Sequence, residues 1–279
     1  MAISARRSAE GVHALGSPVG STALRLTGTR WFRTLATIGV VFLIWHVIAS
    51  IIDTRYILPK PAAVFAAGWQ IILNGELFRD LRISLLRSFL GFSIAVIIAV
   101  PVAMLAAWWK VIDETVGSFI EIIRPIPALA LIPLVIIWFG FGQESKIILI
   151  AYACFFSIYL NTHAGVRNVD PAHIRVMKIY GKGQWDILTK VVLYSMLPYT
   201  FAGLRYAAAL SLIFLVAVEL VGAQDGLGYS MVRAQQLLQT ERIYFTILVF
   251  GLLGFLLNTI VMLIERRVIK WRQAVGAQM

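Results

Sequence analysis

The chain has 279 residues, of which 59% are hydrophobic and only 14% charged. A soluble domain carries about 25% charged residues, so this composition excludes an ordinary cytosolic enzyme and a disordered chain. The net charge of +11 would point to nucleic acid in a soluble protein; here it fits the excess Lys and Arg of cytoplasmic membrane-protein segments, and no nucleic-acid partner is expected.

Apolar blocks near the ~20 residues that cross a bilayer recur six times. Residues 1–33 read as a basic tail. Both this tail and the apolar stretch behind it are too long for a cleaved signal peptide, so the first span, Thr34 to Ile52, is predicted to stay. Leu58-Pro59-Lys60-Pro61 follows it. Residues Ala62 to Leu73, with Val64, Phe65, Trp69 and Leu73, suit a short helix lying on the outer surface. The second span is predicted from Ser88 to Trp109.

The third span, Ile120 to Phe141, is interrupted by Pro125, Pro127 and Pro133. Each proline removes a backbone donor, and orphaned backbone groups in lipid cost several kcal/mol each. The segment is therefore predicted to be buried in protein or to line a water-filled path, as interrupted helices of transporters do; a kink that only aids packing is the competing reading. Arg124, Pro127 and Pro133 are candidates for the path. Arg124 suits either attraction of an anion or anchorage at the headgroups.

The fourth span runs from Ile147 to His163 and contains Cys154, the single cysteine, which excludes an intrachain disulfide and a thiolate metal site. His46 and His163 stand alone and read as packed or interfacial rather than as ligands. The loop after this span, about 164–196, carries Asp170 followed by Pro171, an N-cap with proline at the first helical position. Gly181 suits the left-handed residue that ends a helix. Between them Ile174, Val176, Met177, Ile179 and Tyr180 form a wide apolar face. That face either packs on the protein's own spans and the lipid interface or docks a partner. A second short helix is predicted from Gln184 to Leu193.

The fifth span, Leu197 to Gly222, holds Arg205 and Glu219. They are fourteen residues apart, about 21 Å along a helix, and cannot pair with each other. Charges within spans face the protein interior or a cavity; pairing with neighbouring helices and contact with substrate are both open. Small residues such as Gly203, Ala207, Ala208 and Ser211 permit close helix approach. The sixth span, Ile243 to Ile264, closes the membrane-spanning region 34–265 and leaves a short tail, 266–279.

With the N-terminus inside, the inside segments hold fifteen Lys and Arg against eight outside, so both termini are predicted to be cytoplasmic. No Ser/His/Asp set, metal cluster or acidic pair stands out, which gives an enzyme little support.

The 164–196 loop resembles the coupling loop of ABC-importer permeases, whose signature is Glu-Ala-Ala, three residues, Gly, nine residues, then Ile-x-Leu-Pro. Gly181 matches the glycine, and Leu197-Pro198 resembles the Leu-Pro; Arg175, Val176 and Met177 replace the triplet, reversing the sign of its charge. The run from Arg124 to Leu134, the Trp138-Phe139-Gly140-Phe141-Gly142 sequence, and Glu219-Leu220-Val221-Gly222-Ala223 followed by Gly226-Leu227-Gly228-Tyr229 are similar to permeases of the nitrate/sulfonate/taurine/bicarbonate importer family.

The resemblance covers roughly Thr34 to Arg272. It implies an all-α integral membrane fold with six transmembrane helices, like type I ABC-importer permeases, in a bacterial inner (plasma) membrane. It implies a homodimer, two ATPase subunits docked on Asp170, Pro171, Arg175, Val176, Met177 and Gly181, and an extracytoplasmic substrate-binding protein. The substrate it implies is a small anion, sulfonate or taurine ahead of nitrate or bicarbonate. No Gly-x-x-x-x-Gly-Lys-Ser/Thr loop is present, so ATP and Mg belong to the partner ATPase and no cofactor is expected in this chain. Arg205 and Glu219 join the three path candidates above. A secondary transporter or channel without an ATPase is the alternative class.

Overall fold

A computed structural model describes residues 30–52 and 57–270. The expected tails, 1–33 and 266–279, lie outside the described residues except for 30–33 and 266–270, and so does Arg55. Ten helices follow in chain order: α1 (Arg30–Ile52), α2 (Pro61–Leu73), α3 (Glu76–Trp108), α4 (Lys110–Ile123), α5 (Ala128–Phe139), α6 (Gln143–Arg167), α7 (Pro171–Ile179), α8 (Gln184–Gly222), α9 (Leu227–Gln236) and α10 (Thr240–Val268). Among the described residues α1, α3, α6, α8 and α10 are long and apolar enough to span a bilayer, and α4 with α5 makes a sixth, bent candidate. The six-span, all-α expectation therefore holds.

Among the described residues, those up to Val47 form one unit and those from Ile48 onward another. In the first, α1 exposes Leu35, Val41 and Leu43, as a helix solvated by lipid tails does, and Phe42 and Trp45 pack ring against ring at 5.8 Å.

The second unit is built around α6, which packs along both α3 and α8. In lipid, helices associate through close packing rather than through escape from water, so small residues decide where they touch. On α3, Ala95, Ala99, Ala103 and Ala106 repeat at three- and four-residue spacing and are buried. A side chain at Gly91 would meet Ile150 at 2.7 Å, and one at Gly203 would meet the Ser157 carbonyl at 3.0 Å. Buried hydroxyls find partners across the same seams: Ser88 with Ser211 at 2.9 Å, Thr162 with Thr200 at 3.2 Å, and Ser157 with the Gly203 carbonyl at 3.3 Å. Such bonds average about 0.6 kcal/mol each in a membrane protein.

Three expectations are corrected. The second span begins at Glu76, so Arg79, Arg82 and Arg87 lie on α3 rather than in a loop, and Arg87 is buried. The third span is two helices bent by 82°, α4 starting at Lys110 and α5 ending at Phe139, with Pro125 and Pro127 in the break. The short helix expected at 184–193 is the first part of α8, which passes through a π-helical turn at Leu188–Val192 and contains Pro198 within the helix. The helix expected at 62–73 is α2. Its Gly68 lies so close to Phe245 of α10 that a side chain there would meet the ring at 2.1 Å.

Candidate functional site

Loop 168–183 carries the helix expected there. Asp170 caps α7, its carboxylate accepting from the Ala172 N–H at 2.7 Å, and Pro171 opens the first turn. Gly181 sits at φ 68°, and the Lys182 N–H closes the turn on the Met177 carbonyl at 3.0 Å; this is the left-handed helix ending that glycine favours. The apolar face divides in two. Ile174 and Met177 pack on a cluster of Val166, Val169, Ile187, Leu188, Val192 and Met196. Val176, Ile179 and Tyr180 point outward, exposed by 50%, 83% and 76%. Arg175 is exposed as well.

At the break between α4 and α5, Arg124 ends α4 and is exposed, as are Pro127 and Pro133. Prolines 125 and 127 supply no donors, and the Tyr152 hydroxyl on α6 donates toward the Ile123 and Ile126 carbonyls, 3.4 Å from each. The break is thus held against α6. Earlier on α4, Asp113 accepts from Arg167 at 2.5 Å and bonds the His163 ring at 2.8 Å. His163 is therefore tied into an ion group, as a packed rather than ligating histidine.

The other two intramembrane charges are each paired with a neighbouring helix. Arg205 faces Glu265 of α10 at 3.4 Å. Glu219 belongs to a buried network that joins four segments. The Arg87 guanidinium donates to Glu219 at 2.6 Å, to the Asp225 carbonyl oxygen at 2.9 Å, to the Asp225 carboxylate, and through Nε to Gln143 at 2.5 Å. Ser84 donates to both Glu219 oxygens, at 2.8 and 2.9 Å, while accepting from the Leu227 N–H at 2.9 Å. The Gly228 N–H donates to Glu219 at 2.8 Å. The Gly228 amide, in the first turn of α9, thus aims at a carboxylate, where the helix dipole favours negative charge. Gly226, at φ 102°, makes the approach possible; a side chain there would lie 2.4 Å from the Glu219 carboxylate. Lys146 is buried nearby and donates to the Phe141 carbonyl at 3.2 Å.

Arg87, Ser84, Gln143 and Asp225 were not singled out in the sequence. The signal was present: Asp80, Ser84, Arg87, Ser88 and Gly91 recur at three- and four-residue spacing, one stripe of a helix begun earlier than Ser88.

The binding-protein-dependent transport system inner membrane component family matches residues 95–271. The chain belongs to this family. The permease is 34% identical over 245 residues to a Bacillus subtilis (strain 168) protein named as an aliphatic sulfonates transport permease, SsuC, covering 88% of this chain and 89% of that one. It is 32% identical over 244 residues to the taurine transport system permease protein TauC of Escherichia coli (strain K12), covering 85% and 89%. Among solved structures, an inward-facing form of the MetNI methionine ABC transporter is similar with a TM-score of 0.63 at 18% identity, covering 70% of the permease and 97% of that chain, a likeness of fold. The permease is thus a multi-pass inner-membrane transport subunit, not an enzyme.

Proposed function

We propose that this permease forms the membrane path of an ATP-driven importer for organosulfonates. Its nearness in sequence to permeases named for aliphatic sulfonates and for taurine supports the substrate class. In this reading both termini are cytoplasmic, two copies pair, a binding protein delivers solute from outside, and two ATPase subunits dock below. Burial of Arg87 and Lys146 within helices removes both from the outside loops, which strengthens the inside bias of Lys and Arg.

The observation that carries the coupling role is α7 itself. A short helix with its cap satisfied, anchored by Ile174 and Met177, presents Val176, Ile179 and Tyr180 with no described residue covering them. A partner groove that covers these three side chains gains roughly 1.5–3 kcal/mol for each that it buries fully. The path itself follows the proline break at Arg124, Pro127 and Pro133, while the pairs at Arg205 and Glu219 position the helices around it.

The test is co-purification of the ATPase with Ile179→Asp. The substitution places a charge at the more exposed of the helix's two outward apolar positions, Val176 and Ile179, and leaves the inner cluster untouched. ATPase recovery should fall at least about tenfold while membrane insertion is unchanged, because an unpaired charge would have to enter an apolar groove. Full recovery of the ATPase would sink the assignment of α7 as the contact.

A further inference from the structure

A cleft of about 320 Å³ opens between α4 and α6, at the membrane face that carries the 168–183 loop. Its floor is Tyr159, 3% exposed, whose buried hydroxyl has no hydrogen-bond partner among the described residues. The ring is fixed between Phe155 and His163, with centroids 5.8 and 5.6 Å away. A buried phenol left without a partner costs about 1–3 kcal/mol, so a ligand that bonds this hydroxyl would relieve that cost.

The wall opposite is a π-helical turn, Asp113–Gly117, a distortion that recurs at functional sites. It brings Gly117 against the cleft: a side chain there would stand 3.0 Å from the Asp113 carboxylate and 3.8 Å from the Tyr159 hydroxyl. The cleft is roomy because this residue is glycine.

The charges on the wall are of both signs. Asp113 is already matched by Arg167 and His163, and Glu114, also on the wall, by Lys110 at 3.5 Å. One turn apart on α4, Glu121 and Arg124 line the cleft and pair neither with each other nor with another described residue. A plain anion meets Arg124 but also the uncompensated Glu121. A molecule carrying an acid group at one end and an ammonium at the other satisfies both, with the Tyr159 hydroxyl as a further bond.

We infer that this cleft is a subsite for a zwitterionic amino-alkanesulfonate, its sulfonate on Arg124 and its ammonium on Glu121. The inference rests on the sulfonate reading above and narrows it. Tyr159→Phe keeps the ring stack and removes only the hydroxyl; a phenol with a merely structural role, having no partner, loses nothing by the change.

The test uses the complete transporter, with its ATPase and binding protein, at matched membrane levels. Initial uptake of labelled taurine and of labelled ethanesulfonate, the same skeleton without the amine, is measured for wild type, Glu121→Gln, Tyr159→Phe and Gly117→Ala. Glu121→Gln should lower taurine uptake about tenfold and leave ethanesulfonate within about twofold, since only the ammonium loses a charged partner. Tyr159→Phe and Gly117→Ala should slow taurine uptake, the second by narrowing the cleft. Equal effects of Glu121→Gln on the two solutes, or no effect of Glu121→Gln and Tyr159→Phe on taurine, would overturn the inference. Wild-type uptake of ethanesulfonate without taurine would overturn it and leave the sulfonate reading standing; uptake of neither would overturn both.

Discussion

Replacing Arg87 with glutamine probes the buried network at its centre. Arg87 and Glu219 are each 1% exposed. The guanidinium serves two carboxylates, whereas Glu219 has one cation within salt-bridge distance. Removing one partner of a buried ion pair costs about 3–5 kcal/mol, because the charge left behind has neither water nor a counter-ion. Arg87→Gln strands Glu219 in this way. Glu219→Gln is milder: its amide oxygen still accepts from Gly228, and Arg87 keeps the Asp225 carboxylate, the Asp225 carbonyl and Gln143. That change should cost about 1–3 kcal/mol, the loss of a charge-assisted bond. At about 2–4 °C per kcal/mol for a domain of about 150–250 residues, Arg87→Gln should lower Tm by on the order of 10 °C, and Glu219→Gln by about half as much. Thermal unfolding of the purified permease in detergent, followed by size-exclusion recovery after heating, measures both. Equal losses for the two variants, or a loss under about 2 °C for Arg87→Gln, would refute the account of an asymmetric network.

Gly226→Ala should destabilise more than Gly75→Ala although both glycines have positive φ, because only at Gly226 would the new methyl also strike the Glu219 carboxylate; heating the two purified variants in parallel shows the order. Cysteines introduced at Ser230 and Lys182 should divide by side, 230 reached by an impermeant thiol reagent in intact cells with a permeabilised outer barrier and 182 only after lysis. The native Cys154, buried on α6, should give no background. Labelling of 182 before 230 would reverse the topology.

Much of the fold was legible because a bilayer allows so few solutions. Apolar length places spans, and charge bias orients them. Asp170, Pro171 and Gly181 announced α7 because capping is local chemistry. The failures were non-local. Span 2 was expected from Ser88, yet Arg87 before it is held inside by Glu219, 132 residues away. The break in the third span was signalled by its prolines, but not its 82° angle or the contact of Tyr152 on α6 with the Ile123 and Ile126 carbonyls. Glu219 was singled out as a charge in a span; that Gly226 to Gly228 would fold back onto it needed the left-handed turn to be seen. The cleft at Tyr159 left no trace in the sequence, since an unpartnered hydroxyl is a property of packing.

Helix α6 has consequences for how the permease enters the membrane. It carries Lys146, Ser157, Asn161 and Thr162, and much of it is covered by α3 and α8. A helix of this kind gains less from lipid than its neighbours do, and its Ser157 and Thr162 hydroxyls are answered only when α8 is present. Helix α3 is synthesised before it and α8 after it, so during translation α6 waits for a partner that has not yet left the ribosome. The insertion machinery must shelter it through the length of the 168–183 loop and the first turns of α8, which makes the order of synthesis part of how this fold is reached.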